Sequence, residues 1–133
     1  MKHMAFALTT PQVLARTKTV TRRAGHGWLA LRRGQLLQAV AKAQGLKKGA
    51  HVERLAVLRV LDVRLEVLAA ITPEDVRAEG FGETAPHDFV AFFCRTHTGV
   101  QPTTEVVRVA FTYVDGIAAP PPTPAARKGR VRL

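Results

Sequence analysis

The longest alternation of apolar and polar residues in the chain runs through positions 51–68. Most of its apolar residues occupy odd-numbered positions after Leu55, whereas Arg64 and Glu66 occupy even-numbered ones. A period of two residues places alternate side chains on opposite faces of a strand. The pattern predicts one long bent strand, or two strands joined by a bulge near Arg59. A helix is the alternative, because Leu, Ala, Glu and Arg all favour helices.

Three shorter segments also have the composition of strands: residues 6–8, residues 35–41 and residues 106–113. A loop with one large aromatic residue, Trp28, precedes the second of them. Turns are predicted at Arg32-Arg33-Gly34 and at Lys47-Lys48-Gly49, because glycine readily adopts turn conformations. We give residues 1–3 no structural weight.

Three helices are predicted, at residues 10–16, 73–79 and 85–97. The second has the clearest signal: Thr72 is a typical N-cap, Pro73 suits the first helical position, and Gly80 ends the helix. The third has an apolar face, formed by Phe89, Val90, Phe92 and Phe93. Several strands followed by helices indicate an α+β domain with a curled or closed sheet and helices at one edge.

The chain has 133 residues, which is enough for one domain. We assign the domain to residues 1–117 and expect residues 118–133, which are proline-rich and basic, to form a flexible tail. No apolar run reaches the ~18 residues of a transmembrane helix, and no signal-peptide core is present. The single cysteine, Cys94, excludes an internal disulfide and fits a reducing compartment. We therefore expect a cytoplasmic monomer that makes no contact with a membrane.

The net charge is +10, and it is unevenly distributed. Residues 1–52 contain ten Lys or Arg and no acidic residue, whereas residues 53–117 contain six basic and ten acidic residues. The four basic residues of 118–133 have no acidic neighbours within that segment. A segregated basic surface is typical of proteins that bind polyanions, so the sequence predicts a nucleic-acid or nucleotide partner.

The densest cluster of reactive groups is the segment 16–23, with four cations, three hydroxyls and no carboxylate. Lys18 and Thr21 are three residues apart, so they share a side in a helical turn or tight loop but face opposite ways on a flat strand. Nearby arginines should lower the pKa of Lys18, which would let it act as a base for a neighbouring hydroxyl. The same cations could equally hold a phosphate.

The sequence offers little for a metal or a cofactor. Cys94 and His97 are three residues apart on a predicted helix and could share a metal, but a site needs three or four ligands and no second cluster is evident. The phosphate-binding loops of nucleotide enzymes and the nucleophile elbow of hydrolases are absent from the sequence. We therefore expect no cofactor.

The order of several short motifs resembles that of the ASCH domain family. Along the chain these motifs are Lys18-x-x-Thr21-x-Arg23, Trp28, Arg33-Gly34, Ile71-Thr72-x-Glu74-Asp75-x-x-x-Glu79-Gly80-Phe81, an aromatic helix and a final Val-Arg-Val-x-Phe strand. The resemblance covers residues 5–114 and implies a PUA-like β-barrel with short flanking helices, in a family associated with RNA. The family motif is G-x-K-x-x-E-x-R. This chain departs from it at Arg16, which replaces the glycine, and at Thr21, which replaces the glutamate.

The threonine implies a specific activity. Bacterial ASCH members that hydrolyse the acetyl amide of N4-acetylcytidine look like K-x-x-T-x-R at this point and use a Lys, a Thr and a Glu. By resemblance, Thr21 would attack the acetyl carbonyl, Lys18 would take its proton, and Glu79 would handle protons at the cytosine end. Glu74 is the rival candidate for the carboxylate.

The other hypothesis is a binding module without catalysis. Its basic cleft would hold RNA or a cytidine nucleoside or nucleotide. Trp28 would either stack a base or pack as a core residue beside the barrel. The residues assigned to this contact are Arg16, Lys18, Arg22, Arg23, Trp28, Arg32 and Arg33. The two hypotheses differ in whether Glu79 lies within hydrogen-bond reach of Lys18 or Thr21.

Overall fold

The structure is a computed structural model that describes residues 1–42 and 52–116. The predicted turn at residues 47–49, the tail at 118–133 and the domain boundary at 117 lie outside these residues. The described strands are β1 (Lys2–Ala5), β2 (Val20–Arg23), β3 (Leu36–Val40), β4 (Arg54–Val67) and β5 (Glu105–Val114). The α-helices are α1 (Thr10–Leu14), α2 (Pro73–Ala78) and α3 (Pro86–Thr96), and short 3-10 turns span His26–Ala30 and Leu68–Ala70.

The five strands form one sheet in the order β1-β3-β4-β5-β2. Strands β1 and β3 are parallel, and the other neighbouring pairs are antiparallel. The sheet curls into a half-barrel around a cluster that includes Met4, Phe6, Leu58, Val109 and Phe111. A second apolar cluster packs α2 and α3 against the start of β5. The α+β class is therefore as predicted.

Strand β4 confirms the prediction of one long strand and shows that the helical alternative was wrong. Its pairing with β5 shifts register between Val60 and Asp62, close to the predicted bulge. Before the shift Leu58 and Val60 are fully buried, and after it Val63 packs against the same cluster. Even-numbered residues of β4 therefore face the interior before the bulge, and odd-numbered residues face it afterwards. One inserted residue has this effect because side chains alternate between the two faces of a strand.

The first strand was predicted in the wrong place. We expected it at residues 6–8, whereas β1 occupies Lys2–Ala5 and includes residues to which we gave no weight. It pairs with β3 in the register Lys2↔Leu37 to Ala5↔Val40. A parallel partner far along the chain leaves no local pattern in a short segment, so the sequence alone could not reveal it.

The helices follow their local signals. The Thr72 hydroxyl accepts a hydrogen bond from the backbone N–H of Asp75 at 3.1 Å, which caps α2 as predicted. Helix α1 ends at Leu14 rather than at residue 16, and Arg16 has a positive φ of 61° that is incompatible with a continuing helix. Gly80 follows α2 with φ +92°, the left-handed conformation in which glycine commonly ends helices.

Candidate functional site

The segment 16–23 leads into β2, which forms an edge of the sheet beside β5. The residues before the strand are tied to the end of α2, because the backbone N–H of Thr19 donates to the Ala78 carbonyl at 2.7 Å. Within the strand, Thr21 pairs with Val109 of the half-barrel cluster, whereas Arg22 pairs with Arg108. Alternation therefore turns Thr21 and Arg22 towards opposite faces of the sheet.

Lys18 and Glu79 form a buried ion pair. Their residues are 2 % and 3 % exposed. The Lys18 ammonium Nζ lies 2.6 Å from Glu79 Oε1 and 3.0 Å from the Glu79 carbonyl oxygen. Glu79 is therefore within hydrogen-bond reach of Lys18, whereas Glu74 is exposed on the first turn of α2. Lys18 also compensates the carboxylate at the unfavourable end of the helix dipole.

Burial lowers the pKa of Lys18, which is the direction that the sequence predicted. The cause differs from the expected one. Loss of solvent is the largest effect, Glu79 opposes it, and Arg23 and Arg22 add smaller contributions. Arg16 takes no part, because its guanidinium forms an exposed ion pair with Asp115.

Arg22 lies at the centre of a larger charge network. Its side chain is 0 % exposed and donates to Glu79 Oε2 at 3.0 Å, to Asp75 Oδ2 at 2.7 Å and to Glu66. Arg108 binds the same Asp75 carboxylate through Nε at 2.7 Å and Nη2 at 3.0 Å. A basic side chain from residues 1–52, which contain no acidic residue, thus forms ion pairs with carboxylates from β4 and α2.

Arg23 is held differently, between aromatic rings. Its guanidinium carbon lies 4.7 Å from the Phe6 ring centroid and 5.7 Å from that of Trp28. Its Nε donates to the Thr21 hydroxyl at 3.3 Å. Burial lowers the pKa of Arg23 to about 10. Within residues 1–42 and 52–116, no carboxylate forms an ion pair with it.

These groups line one cavity of about 220 Å³. Its polar lining residues are Lys18, Thr21, Arg22, Arg23 and Glu79. Its aromatic lining residues are Phe6, Phe81, Phe89, Phe92, Phe93 and His97. The predicted catalytic set therefore shares one cavity with several aromatic rings, the kind of side chain on which a flat ligand can stack.

Sequence reasoning missed His97, which was considered only as a metal ligand beside Cys94. Its ring stacks on Phe93 with centroids 3.8 Å apart and an interplanar angle of 6°. Phe89 and Phe93 on α3 and His97, the residue directly after it, are spaced four residues apart, and this pattern could have placed all three on one side of the helix. The described residues contain no group of three or more His, Cys, Asp or Glu able to hold a metal ion.

The residues predicted to contact RNA are not all on one surface. Lys18 and Arg22 are buried in ion pairs, and Arg16 is exposed but bound to Asp115. The Trp28 ring is half-buried, with Lys2 Nζ 4.9 Å from its centroid. Arg32 and Arg33 are exposed, and neither lines the cavity. In the part of the chain that is described, no helix is long and apolar enough to cross a membrane.

Solved structures similar to this chain share its fold. An ASCH domain from Lactobacillus crispatus JV V101 matches with a TM-score of 0.61 and 11 % identity, over 84 % of this chain and 78 % of that one. A protein from Enterococcus faecalis V583 of the family DUF984 matches with a TM-score of 0.59 and 16 % identity, over 85 % and 79 %. The hypothetical protein PH0355 matches with a TM-score of 0.60 and 14 % identity, over 86 % of this chain and all of that one.

No family model matches the chain, and no curated protein matches it in sequence. At identities of 11–16 %, structural likeness establishes the fold and leaves the activity open. The observed sheet of five strands with a few short helices agrees with the predicted architecture. The chain has the PUA-like half-barrel fold of ASCH domains.

Proposed function

We propose that the protein is an amidohydrolase that removes the acetyl group from N4-acetylcytidine or a related acyl-cytidine. The observation that carries the proposal is the buried Lys18–Glu79 pair in the same cavity as the Thr21 hydroxyl. Nucleophilic catalysis needs a hydroxyl, a base close by and a third group that orients the base. The resemblance of Lys18-x-x-Thr21-x-Arg23 to acetylcytidine-hydrolysing ASCH members supports the same roles.

Lys18 is suited to be the base. A neutral amine has two N–H groups and one lone pair, and Lys18 Nζ has two acceptors on Glu79, at 2.6 and 3.0 Å. With both N–H groups so engaged, the lone pair is left for the Thr21 proton. Burial, which lowers the pKa of Lys18, favours this neutral form. Glu79 therefore orients Lys18 in this proposal, rather than handling protons at the cytosine end.

Arg23 completes the proposed mechanism. Its Nε already donates to Thr21 Oγ1 at 3.3 Å, so it stabilises negative charge on that oxygen. Lys18 takes the Thr21 proton while Oγ1 attacks the acyl carbon, giving a tetrahedral intermediate. Collapse breaks the C–N bond, and the Lys18 ammonium returns the proton to the leaving amine. Water, deprotonated by Lys18, then attacks the acyl-threonine ester. The bond from the acyl carbon to Oγ1 breaks, Lys18 returns the proton to Oγ1, and acetate is released.

The size and walls of the cavity favour a small ligand. A volume of about 220 Å³ lies below the ~300–1,000 Å³ of typical drug-sized sites. Aromatic side chains such as Phe81 and Phe92, which are only partly buried, stack unpaired bases well. The polar groups line the same cavity, so in this proposal an acyl group on the edge of a stacked base reaches them.

The test is release of acetate and cytidine from N4-acetylcytidine, followed by chromatography. Lys18→Met and Thr21→Val should each abolish turnover, and the double variant should lose no more than either single one, because base and nucleophile act as a unit. Glu79→Gln should also lose activity. Glu74→Gln, on the same helix but exposed, is the matched control and should remain active. A folded wild-type protein that hydrolyses neither N4-acetylcytidine nor related acyl-cytidines would refute the proposal.

The second candidate is the RNA-binding module, and the exposed side chains of Arg32 and Arg33 favour it. Arg33 lies 3.8 Å from the partly exposed carboxylate of Asp62, and among the described residues neither arginine has a buried carboxylate partner, in contrast to Arg22. RNA affinity should then fall steeply with salt, because neutralised phosphates release counterions. Replacing both by Gln should flatten that dependence, whereas Arg95→Gln, an exposed change on α3, should not. Affinity that does not depend on salt would exclude this candidate.

A further inference from the structure

We infer that Arg22 is a positioning residue that holds the Lys18–Glu79 pair in place by binding the second oxygen of the Glu79 carboxylate. Its relevance to hydrolysis depends on the proposed function, but its effect on Lys18 does not. The resemblance to ASCH members covers Lys18, Thr21 and Arg23 and says nothing of the residue between the last two. The sequence suggested a phosphate contact for Arg22, and its buried position gives it this different role.

The two oxygens of Glu79 are divided between two cations. Oε1 accepts from Lys18 Nζ at 2.6 Å, and Oε2 accepts from Arg22 Nη1 at 3.0 Å. A carboxylate bound at one oxygen alone can rotate about its last torsion, which is broad for glutamate. With both oxygens bound, its plane is fixed, and the position of the Lys18 ammonium is fixed with it.

Arg22 is itself anchored by carboxylates other than Glu79, one at the start of α2 and one on β4. Its Nη2 donates to Asp75 Oδ2 at 2.7 Å and to Glu66 on β4. The guanidinium is a rigid planar fork, so these contacts determine the direction of Nη1 towards Glu79. Lysine would supply the charge without this fixed geometry.

Glu79 depends on Arg22 more than the other two carboxylates do. Asp75 also binds Arg108 through two hydrogen bonds, at 2.7 and 3.0 Å, and Glu66 also binds Arg64 at 3.4 Å. Without Arg22, each of these keeps an arginine partner. Among the described residues, Glu79 would keep Lys18 alone. Loss of Arg22 should therefore be felt mainly at Lys18.

The direct test is the titration of Lys18, followed by NMR of ¹³C-labelled lysine side chains and assigned with Lys18→Met. In Arg22→Gln the Lys18 midpoint should rise, because a repelling charge is lost and Glu79 is left to Lys18 alone. Arg22→Lys keeps the positive charge and is the variant to use if Arg22→Gln does not fold. Its Lys18 midpoint should also differ from the wild-type value. Arg77→Gln, which removes an exposed arginine of α2 that pairs with Glu83 rather than with Glu79, should leave the midpoint near that of wild type.

Kinetics provide the second measurement. Arg22→Lys should lower kcat for N4-acetylcytidine by about tenfold or more while KM changes by less than about threefold, because a misplaced base affects chemistry more than binding. Arg77→Gln should retain most of kcat. An unchanged Lys18 midpoint in folded Arg22 variants would overturn the inference, whatever the activity. An inactive wild type with shifted midpoints would refute the proposed function and leave the positioning role intact.

Discussion

Gly80 should be one of the least replaceable residues in the protein. It follows α2 and lies against α1 and the segment that contains Lys18. A Cβ added at this position would be 2.6 Å from Gln12 Cγ, 2.7 Å from Gln12 Cβ and 3.4 Å from Lys18 Cβ. Real Cβ atoms do not approach other atoms within 3.0 Å, so Gly80→Ala requires α1 or the end of α2 to move.

Two terms contribute to the cost of Gly80→Ala. The backbone has φ +92°, and the left-handed region costs a residue with a side chain about 1–2 kcal/mol. Overpacking adds about 1–3 kcal/mol. Gly34 has a similar φ of +87° but nothing within 4 Å of its added Cβ. Gly34→Ala should therefore lose only the free energy that the backbone conformation costs. Gly80→Ala should lower the free energy of unfolding by about 1–3 kcal/mol more than Gly34→Ala does.

The assay is urea unfolding of both variants, compared through the free energy of unfolding at equal m-values. Because Gly→Ala reduces the freedom of the unfolded chain similarly at both positions, the difference between the variants is more reliable than either value. Gln12→Gly removes both clashing atoms and should recover part of the loss in a double-mutant cycle. Equal destabilisation by Gly80→Ala and Gly34→Ala would show that the close approach has no energetic consequence.

Three further predictions concern single groups. Thr72→Ala should cost about 1 kcal/mol of unfolding free energy and Thr72→Ser much less, because the hydroxyl caps α2. Hydrogen bonds from Arg108 and Arg22 hold the pKa of Asp75 at about 2, so its stabilisation should be complete above pH ~4 and lost as the pH falls towards 2. After allowance for solvent screening this is about 1–2 kcal/mol, which Asp75→Asn should remove from acid unfolding curves. Burial raises the pKa of Tyr113, the only tyrosine, to about 12, so its ultraviolet titration should have a midpoint well above the ~10 of the denatured chain.

Most local elements of the fold could be predicted because their signals are local. The alternation in β4, the cap and proline of α2, and the glycine at the turn before β3 each act over a few residues. The position of β1 could not be predicted, because it depends on a parallel partner, β3, whose first paired residue is Leu37. The sequence pattern also did not predict which residues of β4 face the interior. The register shift between Val60 and Asp62 moves the inward-facing positions from even-numbered to odd-numbered residues.

The candidate site was predictable in its chemistry more than in its arrangement. Lys18 and Thr21 were singled out by residue type and spacing, and the family resemblance supplied Glu79. Neither approach showed that Arg22 would be buried among carboxylates or that His97 would line the cavity. Both outcomes depend on how α2 and α3 pack against the sheet. The spacing of residues within one segment does not specify that packing.

The sequence by itself determined which groups are available: an acid-free first part, carboxylates concentrated in the second part, and strands and helices set by local pattern. Only the tertiary structure decided which charges meet. Lys18 and Glu79 are 61 residues apart in sequence, yet they form a buried pair because the start of β2 is tied to the end of α2. A charge leaves water at a cost of several kcal/mol unless a partner compensates it. The strand order places those partners side by side, so a charge distribution that is segregated along the chain becomes paired in the folded protein.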